Sequence, residues 1–452
     1  MAPLKFSQAI QFPVPVDAAF SWHAAKGAFD RLNPPWQPVQ LREPHRGITD
    51  GVQVKIRIPV GPLGISWHLQ HRDYISGEQF CDEQVRGPFR SWLHQHRFRA
   101  LREGSELSDE ITFEPLGGKI GALVAGGMIK KELTRLFRYR HEVTLRDLIV
   151  HQQPGPPLRI LLAGGSGLIG SNLSAFLTTG GHTVHHLVRR PSRGPEEITW
   201  DPSRDVLNPA SIEGYDAIIN LGGENIAGRR WNPAQKELLR QSRLQGTRLL
   251  SKTIGMLPKK PSTFLVASAV GIYGDRGEES LTEQSTLGTG FLAELGKEWE
   301  EASTIEGVRT VNLRFGVVLD PRGGALGKML WPFLLGAGGA LGSGSQWMSW
   351  IALDDAVRAI LHVVRKTELR GAVNFVAPNP RRNSEFTKTL GRVLRRPTIA
   401  KVPAFVLRAV FGEMADQALL ASTRTVPSKL LQSGFNFSYP GLEQALRHCL
   451  GR

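Results

Sequence analysis

The chain has 452 residues, too many for one core, so two or three domains are expected. With 41% hydrophobic and 21% charged residues it reads as globular protein, and no apolar run reaches bilayer-spanning length. The net charge of +15 is concentrated in residues 371–452, which carry 12 Lys and Arg against 4 Asp and Glu. No helix-turn-helix, zinc-finger or aromatic RNA-binding signature accompanies it, so it is read as a basic face and not as a nucleic-acid site. The N-terminus has no apolar h-region, and Cys81 and Cys449 lie far apart without metal-ligand spacing, so a reduced, cytoplasmic setting is expected.

Residues 1–150 read as one domain. Phe6–Val14 has the look of a strand, and Asp17 is read as the cap of a short helix, DAAFSWHAA. The Pro34-Pro35 pair interrupts regular structure. Strand-like runs follow: VQVKIRIPV, with alternating Val52, Val54, Ile56 and Ile58, then GISWHLQHRDYI, FRSWLHQHRFRAL and SELSDEITFEPL. A long helix closes the segment over roughly 118–148, with Met128, Leu133, Leu136 and Phe137 at apolar positions. Several antiparallel strands wrapped around a final helix can enclose an apolar cavity.

Five histidines in this part, His23, His68, His71, His94 and His96, raise the question of a metal. His94 and His96 fall on one face of a strand, but spacing supplies no third ligand, so no metal is expected. FSWHAAKGAFDRLNPPW and the closing helix resemble the START-like, or polyketide cyclase-like, helix-grip superfamily. That resemblance implies an α+β fold with a hydrophobic ligand pocket. The Pro-rich stretch 151–157, HQQPGPP, reads as a linker.

Residues 158–170, LRILLAGGSGLIG, read as strand, glycine turn and helix start. Gly164, Gly165, Gly167 and Gly170 allow the turn, and with Ser166, Leu168 and Ile169 they form a candidate dinucleotide site. There the backbone lies against a pyrophosphate and a helix N-terminus meets it. The chain then alternates strands (HTVHHLVR, DAIINLGG, TFLVASAV, RTVNLRFGVVL, AVNFVAP) with helices, predicting a doubly wound parallel sheet. The second strand ends in LVRRP, with Arg189 and Arg190 where an NAD enzyme has an acid. Guanidinium groups suit a 2′-phosphate, so the expected cofactor is NADP. Leu221, Gly222 and Gly223, after DAIIN, let the backbone approach that cofactor. Arg229, Arg230 and Trp231 read equally well as phosphate or substrate holders and as surface packing. Asp354 and Asp355 read as a helix cap.

Together, GGSGLIG, NLGGENIAGRRW, SAVGIYGDRG, GFLAELGKEWE, LRFGVVLDPRGGAL, SGSQWMSWIALDD and the C-terminal segments resemble the extended short-chain dehydrogenase/reductase superfamily. Within it they resemble its atypical epimerase-like family, a group linked to nucleoside-diphosphate-sugar epimerases and to relatives of cell-division inhibitors. The resemblance covers 158–450. It implies a Rossmann domain over 158–375, NADP binding with Ser268 among the cofactor contacts, and a C-terminal cap over 376–452. Active extended members carry Ser or Thr, Tyr and Lys, the last two four residues apart on one helix, where lysine lowers the tyrosine pKa. Here Ala269 stands at the serine position, and taking Lys297 as the lysine puts Ala293 at the tyrosine position. Tyr273, Lys297, Glu294 and Asp275 are the candidate substitutes. Two functions follow: an NADP-dependent oxidoreductase or epimerase acting on a small, apolar-leaning substrate, or an NADP-binding sensor or scaffold without turnover, near cell division. An apolar ligand is expected in the first domain. Substrate identity and oligomeric state are not legible.

Overall fold

The computed structural model describes residues 3–43, 47–60 and 63–452. Contacts divide the chain into two compact units, 1–156 (with 175–181 and Gly451) and 157–174 with 182–450 (and Arg452).

In the first unit, strands β1 (Leu4–Phe12), β2 (Gln40–Leu41), β3 (Gln53–Val60), β4 (Leu63–Ile75), β5 (Gln79–Arg86), β6 (Phe89–Ala100) and β7 (Ser105–Pro115) form one sheet in the order β1-β7-β6-β5-β4-β3-β2. All its pairings are antiparallel. Strand β7 alternates buried and half-buried residues along nearly its whole length, the period-2 signature of a sheet with one covered face. Helices α1 (Val16–Ala24) and α2 (Ala28–Leu32) lie between β1 and β2 in the chain, and the 34-residue α3 (Gly118–His151) follows β7. Leu133 and Phe137 of α3 pack with Trp92, Ile111 and Phe113 of the sheet. Phe12, Phe20, Trp22, Phe80 and Phe98 form a second apolar cluster.

Three local expectations change here. Pro15, not Asp17, is the N-cap of α1, and Asp17 sits in the first turn, where a carboxylate favours the positive helix end. Helix α3 runs on through His151, so the irregular connection is shorter than the proline pattern predicts. Met128 is exposed, unlike Leu133 and Phe137.

The second unit is built on a parallel sheet. Strands β8 (Arg159–Ala163), β9 (Thr183–Val188), β10 (Glu197–Thr199), β11 (Ala217–Asn220) and β12 (Thr263–Ala269) are joined by Arg309–Phe315 and Gly371–Phe375. The order is β10-β9-β8-β11-β12, then Arg309–Phe315, then Gly371–Phe375. The chain thus works outward from β8 in one direction, then crosses to β11 and proceeds in the other. The reversal between β8 and β11 leaves a crevice at the strands' C-terminal ends. Helices α4 (Leu168–Thr179), α5 (Pro233–Gly255) and α6 (Phe291–Ala302) fall between the strands. The Asn232 side chain accepts from Gln235 N–H at 2.8 Å and Pro233 opens α5, a strong start signal.

The C-terminal segment belongs to this unit's core. Phe386, Leu390, Tyr439, Leu442 and Leu446 pack with Leu319, Leu326, Phe333 and Trp350. Asp354 and Asp355 do not cap the helix Leu353–Arg365, whose N-cap is Ala352. Asp355 is fully buried and accepts from the backbone N–H groups of Ser438 and Tyr439 at 2.8 and 2.9 Å. Asp354 pairs with His448 at 2.7 Å. Among the described residues no helix is long and apolar enough to cross a membrane.

Candidate functional site

At the crevice, β8 ends at Ala163 and the chain turns through Gly164–Gly167 into α4. Gly164 has φ +81°, and a Cβ there would lie 2.7 Å from the carbonyl carbon of Leu221, so only glycine fits. At Gly170 a Cβ would meet the Gly164 carbonyl oxygen at 2.2 Å. Gly167 N–H closes the turn on Gly164 O at 3.0 Å. Ser166 and Gly167 are exposed and Gly165, Leu168 and Ile169 half-buried, so the first turn of α4 opens to solvent. An anion placed there would meet N–H groups that have no acceptor within the helix.

The opposite wall is the β11 end. Leu221 N–H donates to Ala163 O at 3.0 Å, and Gly222 N–H to the Asn220 side chain at 3.1 Å. Asn220 is buried and donates on to Thr247 Oγ1 at 3.0 Å, which also receives the Trp299 indole at 2.9 Å. This chain of bonds fixes the backbone of Leu221–Gly223 against the glycine turn.

Sequence reasoning overlooks three cations here. Arg243 of α5 is buried, donates to Glu224 O at 3.0 Å and lies where a Cβ on Gly223 would reach it. Burial lowers its pKa to about 10. Arg322 donates to Asn172 Oδ1 of α4 at 3.0 Å, and Lys328 reaches the Ala227 carbonyl. No sequence spacing links these residues to the glycine turn; only the fold does.

Arg189 is exposed at the end of β9. Arg190, which the sequence assigns to a 2′-phosphate together with Arg189, is already paired. Its guanidinium forms a two-pronged pair with Glu197 of β10 at 2.7 and 2.6 Å, and this pair holds Glu197 down to about 2. Arg229 and Arg230 are exposed, while Trp231 is buried with Leu239, Phe291 and Leu295 and donates to Ile226 O, so Trp231 is packing.

The proton-transfer candidates are not brought together. Tyr273 does not line a substrate face. It is wholly buried, donates to Asn374 Oδ1 and accepts from Arg314, both at 2.8 Å, and burial raises its pKa. Arg314 in turn pairs with Glu300 through two bonds of 2.7 Å, and Ser268 donates to the same carboxylate at 2.7 Å. The Ser268 hydroxyl is therefore committed inward. Lys297 and Glu294 are exposed on α6, with Lys297 at 4.0 Å from Glu301. Asp275 accepts from the backbone N–H groups of Ser422 and Gly277, a loop-fixing role. Ala293 is buried.

The first unit holds a second polar cluster between its sheet and α3. His71, His94, His96 and His141 converge on Asp82 and Asp109. His94 and His96 do share a face, and Asp82 on the neighbouring strand supplies the third donor that spacing did not reveal. Burial, then His96 beside it, pushes His94 down to about 4. Burial opposes charge on His96 as well, but the two carboxylates outweigh it and lift it to about 9. The inner face is thus ionic at its centre, a feature that the implied hydrophobic pocket does not include.

Residues 160–375 match the family model described as NAD dependent epimerase/dehydratase family, and 402–449 match a domain of unknown function, DUF1731. The chain is 43% identical over 296 residues to epimerase family protein MT2273 of Mycobacterium tuberculosis, covering 65% of this chain and 98% of that protein. A crystal structure of a nucleoside-diphosphate sugar epimerase from Corynebacterium glutamicum superposes with a TM-score of 0.81 at 31% identity, covering 99% of this chain and 90% of that one. The human epimerase family protein SDR39U1, crystallised with NADPH, superposes with a TM-score of 0.61 at 36% identity, covering 65% of this chain and 99% of that one.

Proposed function

The chain belongs to the NAD dependent epimerase/dehydratase family, and from that premise we propose that its second unit binds NADP and performs oxidoreductase or epimerase chemistry on a small molecule. The observation that carries this reading is the glycine turn at the sheet's reversal point, a cradle that a Cβ at Gly164 or Gly170 would fill. NADPH in the human relative's structure supports the phosphorylated form of the cofactor. Gly164–Gly170 and the first turn of α4 receive the pyrophosphate, and Leu221–Gly223 border the nucleotide. Arg189 takes the 2′-phosphate, with Arg190 contributing as far as Glu197 releases it. When bound, the nicotinamide supplies hydride exchange. The Ser268–Glu300–Arg314–Tyr273 network holds the end of β12 rigid beside it and moves no proton.

The first unit we read as a START-like helix-grip module, on its β1-β7-β6-β5-β4-β3-β2 order, the helices inserted after β1 and the long final helix. On that reading it is a ligand-binding module, and its interior carries two aromatic clusters and an ionic centre. Two buried free thiols, Cys81 and Cys449, suit a reducing, cytoplasmic compartment.

Titration of NADPH and NADH against the full chain tests the cofactor reading. Arg189→Ala with Arg190→Ala should cut the preference for NADPH by tenfold or more, since a charged hydrogen bond contributes about 1.5–3 kcal/mol. Equal affinity of the unaltered protein for both nucleotides would sink it. Turnover of sugar nucleotides should be slow, because general acid–base help is typically worth about 10²–10⁴-fold and the Tyr–Lys pair is absent. Complete absence of turnover across carbonyl compounds, with NADPH still bound, would leave an NADP-binding protein without catalysis.

A further inference from the structure

The ionic centre of the first unit is used by nothing in the nucleotide-binding reading. Strand register builds it: Asp82 on β5 stands opposite His71 on β4 and His94 on β6, while His96 on β6 stands opposite Asp109 on β7. Helix α3 adds His141, whose Nε2 lies 2.7 Å from Asp109 Oδ2. Asp82 Oδ2 lies 3.3 Å from His96 Nε2 and 3.7 Å from His94 Nδ1. Donor atoms of these three side chains all fall within 4.8 Å of one another. Two donors each about 2.1 Å from a divalent transition metal stand about 3.0–3.4 Å apart, so the trio is nearly at coordinating spacing.

The remaining ring nitrogens strengthen the case. His94 Nε2 lies 3.0 Å from Asp109 Oδ1, and His96 Nδ1 lies 2.8 Å from the same oxygen. A ligating histidine commonly gives its outer nitrogen to a carboxylate, which fixes the tautomer and the ring plane. Phe80 stacks on His96 at 4.2 Å, and Phe137 meets His94 edge-on at 5.3 Å, so aromatic rings flank both imidazoles. Two buried carboxylates need compensating positive charge, and the buried Arg140 guanidinium nearby supplies part of it. Asp82 keeps 19% of its side-chain surface free, the side from which a further ligand would arrive.

We infer that the first unit binds one divalent first-row transition-metal ion through Asp82, His94 and His96, with Asp109 as the positioning residue for both rings. Two imidazoles and a carboxylate, without thiolate, suit zinc, iron(II) or manganese(II) and disfavour copper(I). Three protein donors leave at least one coordination position for water or an anionic small molecule. The competing account is a hydrogen-bonded network complete without an ion.

The test strips the full chain with a chelator and titrates it with Co²⁺, following the d–d absorption bands, with metal content read by mass spectrometry. One ion per chain is expected, displaced by Zn²⁺. X-ray absorption at the cobalt edge should report two imidazoles. Asp109→Asn should weaken Co²⁺ binding by about 10–100-fold. His94→Ala with His96→Ala should abolish it, with circular dichroism as the check on folding. Should that variant unfold, the imidazole count on the unaltered protein still decides. Failure of the stripped protein to take up Co²⁺ stoichiometrically, a spectrum without imidazole, or undiminished binding in the folded double variant would each overturn the assignment.

Discussion

The two units bury polar groups in opposite ways. In the second, Glu300 and Arg314 match one acid to one base, and Ser268, Tyr273 and Asn374 use their remaining bonding capacity locally. In the first, four imidazoles crowd onto two carboxylates. A balanced cluster has nothing left to offer a ligand and reads as structure. A cluster whose donors exceed its mutual needs reads as a site. Position near a cofactor is therefore a poorer guide to chemistry than the bookkeeping of bonds, as Tyr273 illustrates.

The largest effect that would sharpen this contrast is removal of one partner from the balanced network. Arg314→Leu leaves the half-buried Glu300 without its counter-charge and with only the Ser268 hydroxyl, and the chain should lose about 3–5 kcal/mol of stability in urea unfolding. A loss under 1 kcal/mol would mean that the pair is solvated and the contrast overstated. Next, Tyr273→Phe deprives Asn374 and Arg314 of a partner. About 1–3 kcal/mol should go, while NADPH affinity and any turnover stay unchanged. Rapid turnover abolished by Tyr273→Phe would make the tyrosine catalytic and break the comparison outright.

A separate effect concerns acid. His182 and His362 in the second unit are both pushed down to about 4, chiefly by burial. Between pH 6.5 and 4 the unfolded chain holds these protons and the folded chain does not. The stabilisation is therefore complete above 6.5 and lost as pH falls toward 4. Urea unfolding at pH 7 and 4.5 should show the loss, and His182→Asn with His362→Asn should flatten it. An unchanged slope in that variant would show that other groups dominate.

Legibility in the sequence follows the range of the interactions. The glycine turn is local, and its strand, turn and helix are readable because each glycine answers to a neighbour within a few residues or to the next strand end. The alternation of β7 and the strand–helix rhythm after 158 are equally short-range. Arg190 misled because its partner, Glu197, arrives on the adjacent strand β10. Tyr273 misled because Arg314 and Asn374 lie 41 and 101 residues onward. Asp82 as third donor depends on β5–β6 register, which no spacing along one strand encodes. Asp354 and Asp355 look like a cap locally, yet answer to residues near the end of the chain.

That last contact has a consequence for how the polypeptide is made. Asp355 takes its two backbone donors from residues 83 and 84 positions downstream. On the ribosome, the helix that carries it is finished long before Ser438 and Tyr439 are synthesised. Until they arrive, a carboxylate destined for full burial has only Arg358 of its own helix, at 3.7 Å, and the groove for Leu442, Leu446 and Leu450 stands open. Completion of the second unit is thus timed by its last segment, whereas the sheet of the first is whole once Pro115 has emerged. A nascent chain halted short of Ser438 carries both sheets, but the core of the second unit still lacks the helix Leu442–Leu450.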